Sequence, residues 1–289
     1  MPKKTLNTDI VNDYLDHIKK DKEKNLSVQT LKTYENIGNN LPFNILTNQN
    51  TIIKKLKDVY ENPNTLALYL NMIILVRKYK DEEVDKLIKF RNQLRDKIIA
   101  SRKSNLDKLD DELPNLDKIT SELDNLVGVP YIINYLIINH GLRNKDMNLK
   151  FVKSFKTDSD ENMIKMTGKK ASLLINDYKT DKTFGSKEIE IKDDKFLKEL
   201  KSLKLKDGSY LISMKNGDKV NNLITFNDKI KKLTIMNLGQ NKLIKIVIKN
   251  LLNNKSFNKL EQISQDRGTS MQVLLSSYNL HNGTNDDDK

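Results

Sequence analysis

The apolar positions of this chain change their period part-way along it. In the first hundred residues they recur every three to four positions. Ile10, Tyr14 and Ile18 mark one helical face within residues 9–18, and Ser27 stands as an N-cap before Val28, Leu31, Tyr34 and Ile37. Ile52, Ile53, Leu56, Val59 and Tyr60 form the next stripe, and Asn62-Pro63-Asn64 breaks it before a helix over 66–79. A last long helix is predicted from about 82 to 100, with Val84, Leu87, Ile88, Leu94 and Ile98 inward. Four or five such helices fit a small bundle.

Beyond residue 128 the periods are mixed. An apolar helix over 131–139 stops at His140-Gly141. Short runs at 163–166, 173–176 and 187–191 alternate with period two, separated by Gly168 and by 180–186, and predict a three-stranded antiparallel sheet. Helical periodicity returns at 196–203, 226–238, 243–252 and 257–265. Asp207-Gly208 and Asn216-Gly217 read as turns of an extra hairpin, and 279–289 is a polar tail. The expected class is mostly α with a small antiparallel β-sheet: a helical N-terminal domain followed by an α+β domain.

Charge adds a boundary. Residues 1–104 carry 20 basic and 13 acidic side chains, 105–127 carry 2 and 7, and 128–289 carry 29 and 19, for a net +12 over 289 residues. The acidic stretch, with Asp107, Asp110, Asp111, Glu112 and Pro114, reads as a hinge. After it comes a helix with Leu116, Ile119, Leu123 and Leu126 on one face. The expected division is a helical domain over 1–104, the hinge and first helix over 105–127, a second domain over 128–282 and a tail over 283–289.

Composition then removes whole classes of chemistry. Cysteine is absent, so no disulfide and no thiolate ligand or nucleophile is available. His17, His140 and His281 are far apart, and no HExxH, GxxxxGK[ST], GxGxxG or GxSxG is present. No apolar run approaches the roughly 20 residues of a membrane span, and Met1–Thr5 is not followed by a signal-type stretch. The expectation is a non-membrane, non-secreted protein of a reducing compartment, cytoplasmic or nuclear, with virion association open. A pI near 9.4 favours phosphate backbones, while a lysine-solvated surface with no partner is the plainer alternative. Of the 51 basic residues only six are arginine and 45 are lysine, so each arginine is informative.

Three segments hold candidate chemistry. In Leu136–Leu149 an apolar helix ends at Gly141, and Arg143 begins the next turn with Asp146 three residues on. An arginine there opposes the helix dipole, so it is either simply exposed or kept to grip an anion such as phosphate. Lys179 lies in Asp177-Tyr-Lys-Thr-Asp-Lys182, at a turn between two strands, where it is one lysine among many. Arg267-Gly268-Thr269-Ser270 starts a helix whose Tyr278 lies ten residues after the glycine, in a polar run. Tyrosine can attack a phosphodiester when nearby cations stabilise the developing charge.

In this order the segments resemble the tyrosine recombinase (phage integrase) family over about residues 6–282. Gly141-Leu-Arg143 with Asp146 and Leu149 is similar to its first box, Lys179-Thr180 to its hairpin lysine, and Gly268–Tyr278 to its last box. Ser27–Tyr34 and Asn64–Leu70 are similar to its core-binding helices. The His-x-x-Arg position reads Lys242-Leu-Ile-Lys245, with lysine for both, and Thr269 replaces the usual His or Trp.

The resemblance implies metal-free DNA strand breakage and rejoining, in site-specific recombination or integration, with no cofactor. Arg143, Lys242 and Lys245 would hold the scissile phosphate, Tyr278 would form a 3′-phosphotyrosyl link, and Lys179 would protonate the leaving 5′ oxygen. Asp146, Gly268 and Thr269 would support them. The implied partners are double-stranded DNA, clamped between two domains, and further copies of the chain on DNA, with no small-molecule substrate and no membrane. Two alternatives stay open: a type IB topoisomerase using the same chemistry, and a non-catalytic DNA-binding protein on a degenerate recombinase fold, to which Lys242, Lys245 and Thr269 point.

Overall fold

Asparagine sets many of the helix starts. A computed structural model of the chain describes residues 6–20, 26, 28–156 and 158–278. It divides into two compact units, residues 1–108 and 109–289. Among the described residues no helix is long and apolar enough to cross a membrane.

The first unit is helical: α1 (Leu6–Lys20), α2 (Val28–Asn40), α3 (Gln49–Val59), α4 (Pro63–Tyr79) and α5 (Asp85–Glu112). Ser27, expected to cap α2, lies outside the described residues. Asn48 and Asn62 accept hydrogen bonds from the first-turn amides of α3 and α4, and Pro63 opens α4 with its φ already near the helical value. Asn62-Pro63 therefore starts a helix as well as ending the previous segment. Gly38 lets α1 and α2 meet closely, since a Cβ there would lie 2.9 Å from Val11 Cβ. The core between them includes Val11, Leu15, Ile37, Ile52, Leu56, Leu70, Ile73 and Leu87.

The α5 helix runs twelve residues past Ala100, through the acidic stretch expected to be a hinge. Residues 101–112 contain no glycine or proline, so nothing local stops the helix before Pro114. The loop between α2 and α3 is stapled from both sides. Gln49 Oε1 accepts from Lys86 N (3.0 Å) and Leu87 N (3.2 Å), capping α5. Arg77, only 3% exposed, donates to Ile45 O and Thr47 O (both 2.9 Å) and Glu83 O (3.0 Å), and pairs with Glu82 at 3.1 Å.

The second unit contains α6 (Leu116–Asn125), α7 (Gly128–His140), β1 (Leu149–Phe151), β2 (Asn162–Thr167), β3 (Lys170–Ile175), α8 (Asp181–Phe184) and β4 (Lys187–Ile191). After these come α9 (Asp194–Ser202), α10 (Leu223–Leu233), α11 (Gln240–Asn253), α12 (Phe257–Arg267) and α13 (Met271–Tyr278). The sheet order is β1-β2-β3-β4, with β2, β3 and β4 antiparallel and β1 parallel to β2. Ile164 faces Leu173 and Leu173 faces Ile189, a single inward stripe across three strands.

The sheet is thus four-stranded and mixed rather than three-stranded and antiparallel. Three residues of β1 are too few to show a period of two. Residues 208–211 line the other side of β1, with Phe151 N donating to Ser209 O at 2.7 Å and Leu211 N to Leu149 O at 2.9 Å. The expected extra hairpin is reduced to one bridge, Ser213 to Lys219, around Asn216-Gly217.

Helix α7 is the central element, with Tyr131, Ile132, Ile133, Leu136 and Ile137 all buried, and it packs on α9, α10, α11 and α12. Buried Asn134 donates to Leu233 O (2.9 Å) and accepts from Ile235 N (2.9 Å). It thereby ends α10 at Leu233, short of the expected 238, ahead of a turn in which Met236 and Asn237 have positive φ. A small separate cluster of Ile244, Val247, Ile248, Leu260, Ile263 and Leu274 holds α11, α12 and α13 together.

Arg77→Lys is expected to lower the stability of the first unit by about 2–3 kcal/mol, because an ammonium on a flexible stem cannot reproduce a fork that satisfies three carbonyls and a carboxylate. Urea denaturation followed by circular dichroism measures it, and an unchanged midpoint would contradict this account.

Candidate anion-binding site

The site begins where α7 ends. Gly141 caps α7 in the left-handed conformation (φ 64°), and a Cβ there would lie 2.7 Å from Ile263 Cγ2, so only glycine permits the reversal. Two residues later the chain delivers Arg143, whose amide donates to Asp146 Oδ2 at 2.9 Å. Asp146 is fully buried and its Oδ1 has no hydrogen-bond partner. Burial pushes its carboxyl above the usual carboxylate range, against the pull of the Arg143 amide and of the Lys187, Arg143 and Arg267 charges.

The other wall is the end of α12. Its last four carbonyls have no partner inside the helix. Those of Ser264 and Gln265 are taken by the amides of Thr269 (3.0 Å) and Gly268 (2.9 Å), with Gly268 at φ 59°. Those of Asp266 and Arg267 accept from Lys187 Nζ and from Arg143 Nη1 (2.5 Å). Gly268 O then accepts from Thr180 Oγ1 at 2.5 Å. Cations are favoured here, because the dipole places partial negative charge at a helix C-terminus.

Arg267 itself is 2% exposed. Its Nη1 donates back to Gly141 O, and the Gln240 amide, turned with its oxygen inward, accepts from both terminal nitrogens at 3.0 and 3.2 Å. His140 Nδ1 lies 2.7 Å from Asp266 Oδ2 and ties the last residue of α7 to the end of α12. Lys187 opens β4 with its Nζ 4.1 Å from the Tyr178 ring centroid. Burial pushes the Lys187 ammonium down to about 8, with Arg143 and Arg267 adding to the effect and Asp146 and Asp266 opposing it.

Lys179 is exposed on the turn after β3, while Lys187, eight residues on, lies beside Arg143. Lys242 is exposed and Lys245 half-buried on α11. The ammonium of Lys245 is pushed down by burial and by Lys242, whereas Lys187 feels Arg143, Arg267, Asp146 and Asp266. Thr269 is buried in the α12 cap, its carbonyl accepting from Ser264 Oγ at 2.6 Å. Tyr278 is the last residue of α13, four positions after buried Leu274, and its side chain lies outside the described residues.

The site therefore gathers Arg143, Asp146, Lys187 and Arg267. The last two did not stand out as site residues in the sequence, yet both carried a signal. Lys187 shares the inward face of β4 with Ile189 and Ile191, and Arg267 follows Leu260, Ile263 and Ser264 at helical spacing. Each is a cation where the pattern asks for an apolar residue. Two guanidinium groups and a lysine that exchanges its proton near neutral pH suit a phosphate-type anion. Among the described residues no group of three or more His, Asp or Glu side chains is placed to hold a metal ion.

The fold is thus mostly α with a small mixed sheet, and its second unit gathers cationic side chains at helix ends. No protein-family model and no curated protein matches the chain. A solved structure titled as the crystal structure of XerA recombinase is similar over 95% of this chain and 94% of that one, at 13% identity and a TM-score of 0.37.

Lys187 gives a stability prediction whose sign follows from its lowered value. Between pH 8 and about 10.5 the unfolded chain retains a proton that the folded chain has lost, so stability rises with pH in that window. Relative to Lys187→Met, the wild type is expected to gain up to about 3 kcal/mol from pH 8 to 10.5, at 1.36 kcal/mol per pK unit. Urea melts of both proteins measure the difference, in which all other lysines cancel; parallel profiles would show that Lys187 is not buried as described.

Proposed function

We propose that the chain breaks and rejoins DNA strands through Tyr278, as the order of its motifs suggests. The observation that supports this best is the convergence of Arg143, Arg267 and Lys187 at one place, with Arg143 in the box that resembles the first recombinase motif. Arg143 would grip the scissile phosphate with its planar fork, and buried Arg267 would add field from behind it. The Tyr278 hydroxyl would give up its proton to solvent as its oxygen attacks phosphorus, forming a 3′-phosphotyrosyl bond as the bond to the 5′ oxygen breaks. Lys187 would give its proton to that leaving oxygen, the role the resemblance alone assigns to Lys179.

The assignment of the acid rests on chemistry. A general acid works best with a pKa near the working pH, and the Lys187 ammonium is pushed down to about 8. An exposed lysine such as Lys179 is better suited to contact the DNA backbone. Rejoining reverses the steps: a 5′ hydroxyl gives its proton to Lys187 and displaces the tyrosine. The phosphotyrosyl link keeps the bond energy, so the cycle needs no nucleotide. Site-specific recombination or integration by copies assembled on DNA is the particular activity proposed.

A second reading, DNA binding without cleavage, is favoured by Lys242 and Lys245. The box that they occupy would carry His and Arg in the resemblance, and lysine offers a point charge where arginine offers a fork.

Nicked suicide duplexes decide between the two. The expected result is a covalent protein–DNA adduct that Tyr278→Phe abolishes, with Arg143→Ala slowing adduct formation about 10²–10³-fold, as for loss of a charge-stabilising donor. Lys187→Met should slow it at least as much as general acids commonly contribute, about 10²–10⁴-fold, and Lys179→Met far less. Salt-sensitive binding without adduct on any duplex would leave the binding reading standing and refute the cleavage reading.

A further inference from the structure

One aromatic side chain beside the anion site has no use in the reading above. Phe184 is 51% exposed at the end of α8, in the connection from β3 to β4 that also carries Lys179 and Lys182 and leads into Lys187 at the start of β4. That connection is held at several points. Asn162 Oδ1 accepts from Asn176 N (2.8 Å) and Asp177 N (2.7 Å) where the connection leaves β3. Thr180 Oγ1 binds Gly268 O at the end of α12, and Phe184 N donates to Thr180 O at 3.1 Å. Gly185 N returns to Asp181 O at 2.7 Å.

Tyr178 joins this platform to the anion site. It is 1% exposed, its hydroxyl donates to Gly185 O at 2.6 Å, and its ring lies under the Lys187 ammonium. Gly185 has φ 67° and ψ −170°, a conformation essentially confined to glycine, so the direction in which the chain presents Phe184 is specified. Phe184 and Lys187 are three positions apart, so their Cα atoms are at most about 11 Å from each other. At about 3.4 Å per nucleotide step along a strand, this is a reach of about three bases.

An exposed ring on a braced turn, flanked by exposed Lys179 and Lys182 and followed three positions on by Lys187, has the composition of a nucleic-acid surface: cations for the backbone and a π-face for a base. We infer that Phe184 is a base-stacking platform, which takes an unpaired or extruded nucleobase next to the phosphate held by Arg143 and Lys187. The inference rests on the proposed DNA reading and adds a ligand class to it: DNA with an unstacked base near the bound phosphate. A fully paired duplex keeps its bases stacked on one another and gives the ring less to bind.

Fluorescence anisotropy with three DNAs tests it: a single-stranded oligonucleotide, a duplex with one unpaired adenine, and the same duplex fully paired. Phe184→Ala is expected to weaken the first two about tenfold, within the range of a base–aromatic stack, and to change the paired duplex less than about twofold. Phe184→Trp should retain wild-type affinity for all three. Equal affinities of Phe184→Ala and wild type on all DNAs, with salt-sensitive binding preserved, would overturn the stacking inference and leave the DNA reading intact. Equal losses with Trp and Ala would overturn it too, and failure of the wild type to bind any of the three would overturn both.

Discussion

A cation withdrawn from water needs oxygen partners, and the second unit supplies them from the end of one helix. The four carbonyls that α12 leaves open are closed in two ways: two by the glycine cap and two by Arg143 and Lys187. This arrangement sets the position of nearly everything near the site. It fixes Arg143 after the α7 reversal, holds Lys187 at the start of β4, and brings Thr180 and its turn against Gly268. It also places the first residues of α13 beyond a cap whose geometry tolerates only glycine, since a Cβ at 268 would lie 2.5 Å from the Tyr178 ring.

The division of work between arginine and lysine follows from the same constraint. With 45 lysines to six arginines, composition alone would put lysine everywhere. The deeply buried guanidinium groups are nevertheless those of Arg77 and Arg267, each donating to backbone carbonyls from a fixed fork. Guanidinium is more weakly hydrated than ammonium and keeps its charge when buried, so it tolerates such sites. Lysine in the same surroundings yields instead. Burial pushes Lys187, Lys245 and Lys259 all downward, and Lys187 most usefully, because two arginines lie beside it.

Much of the helical scaffold was legible because amphipathic periodicity is local information. The apolar stripes marked α3, α4, α6, α7, α11 and α12 to within a few residues, and Asn62-Pro63 carried a cap that could be taken for a breaker. What was missed depends on partners distant in sequence. Strand β1 has three residues and exists because β2 and residues 208–211 flank it. Helix α10 stops at Leu233 because Asn134, a hundred residues earlier, takes its last carbonyl. The first part of the acidic stretch, to Glu112, is helical for a local reason: no glycine or proline precedes Pro114, whatever the charge.

The site shows the same partition. By itself the sequence determined which chemical groups were available: no thiol, few histidines, a rare arginine after a helix-ending glycine, and a tyrosine near the end of the chain. It also marked Lys187 and Arg267 as cations on inward faces, through the period of β4 and α12. Only the tertiary structure decided which of 45 lysines lies beside Arg143. That choice depends on where β4 and the end of α12 meet, and on how much water is excluded there. Periodicity records which way a side chain points, whereas the pKa of a lysine is set by desolvation and neighbouring charge, and these exist only once distant segments have packed.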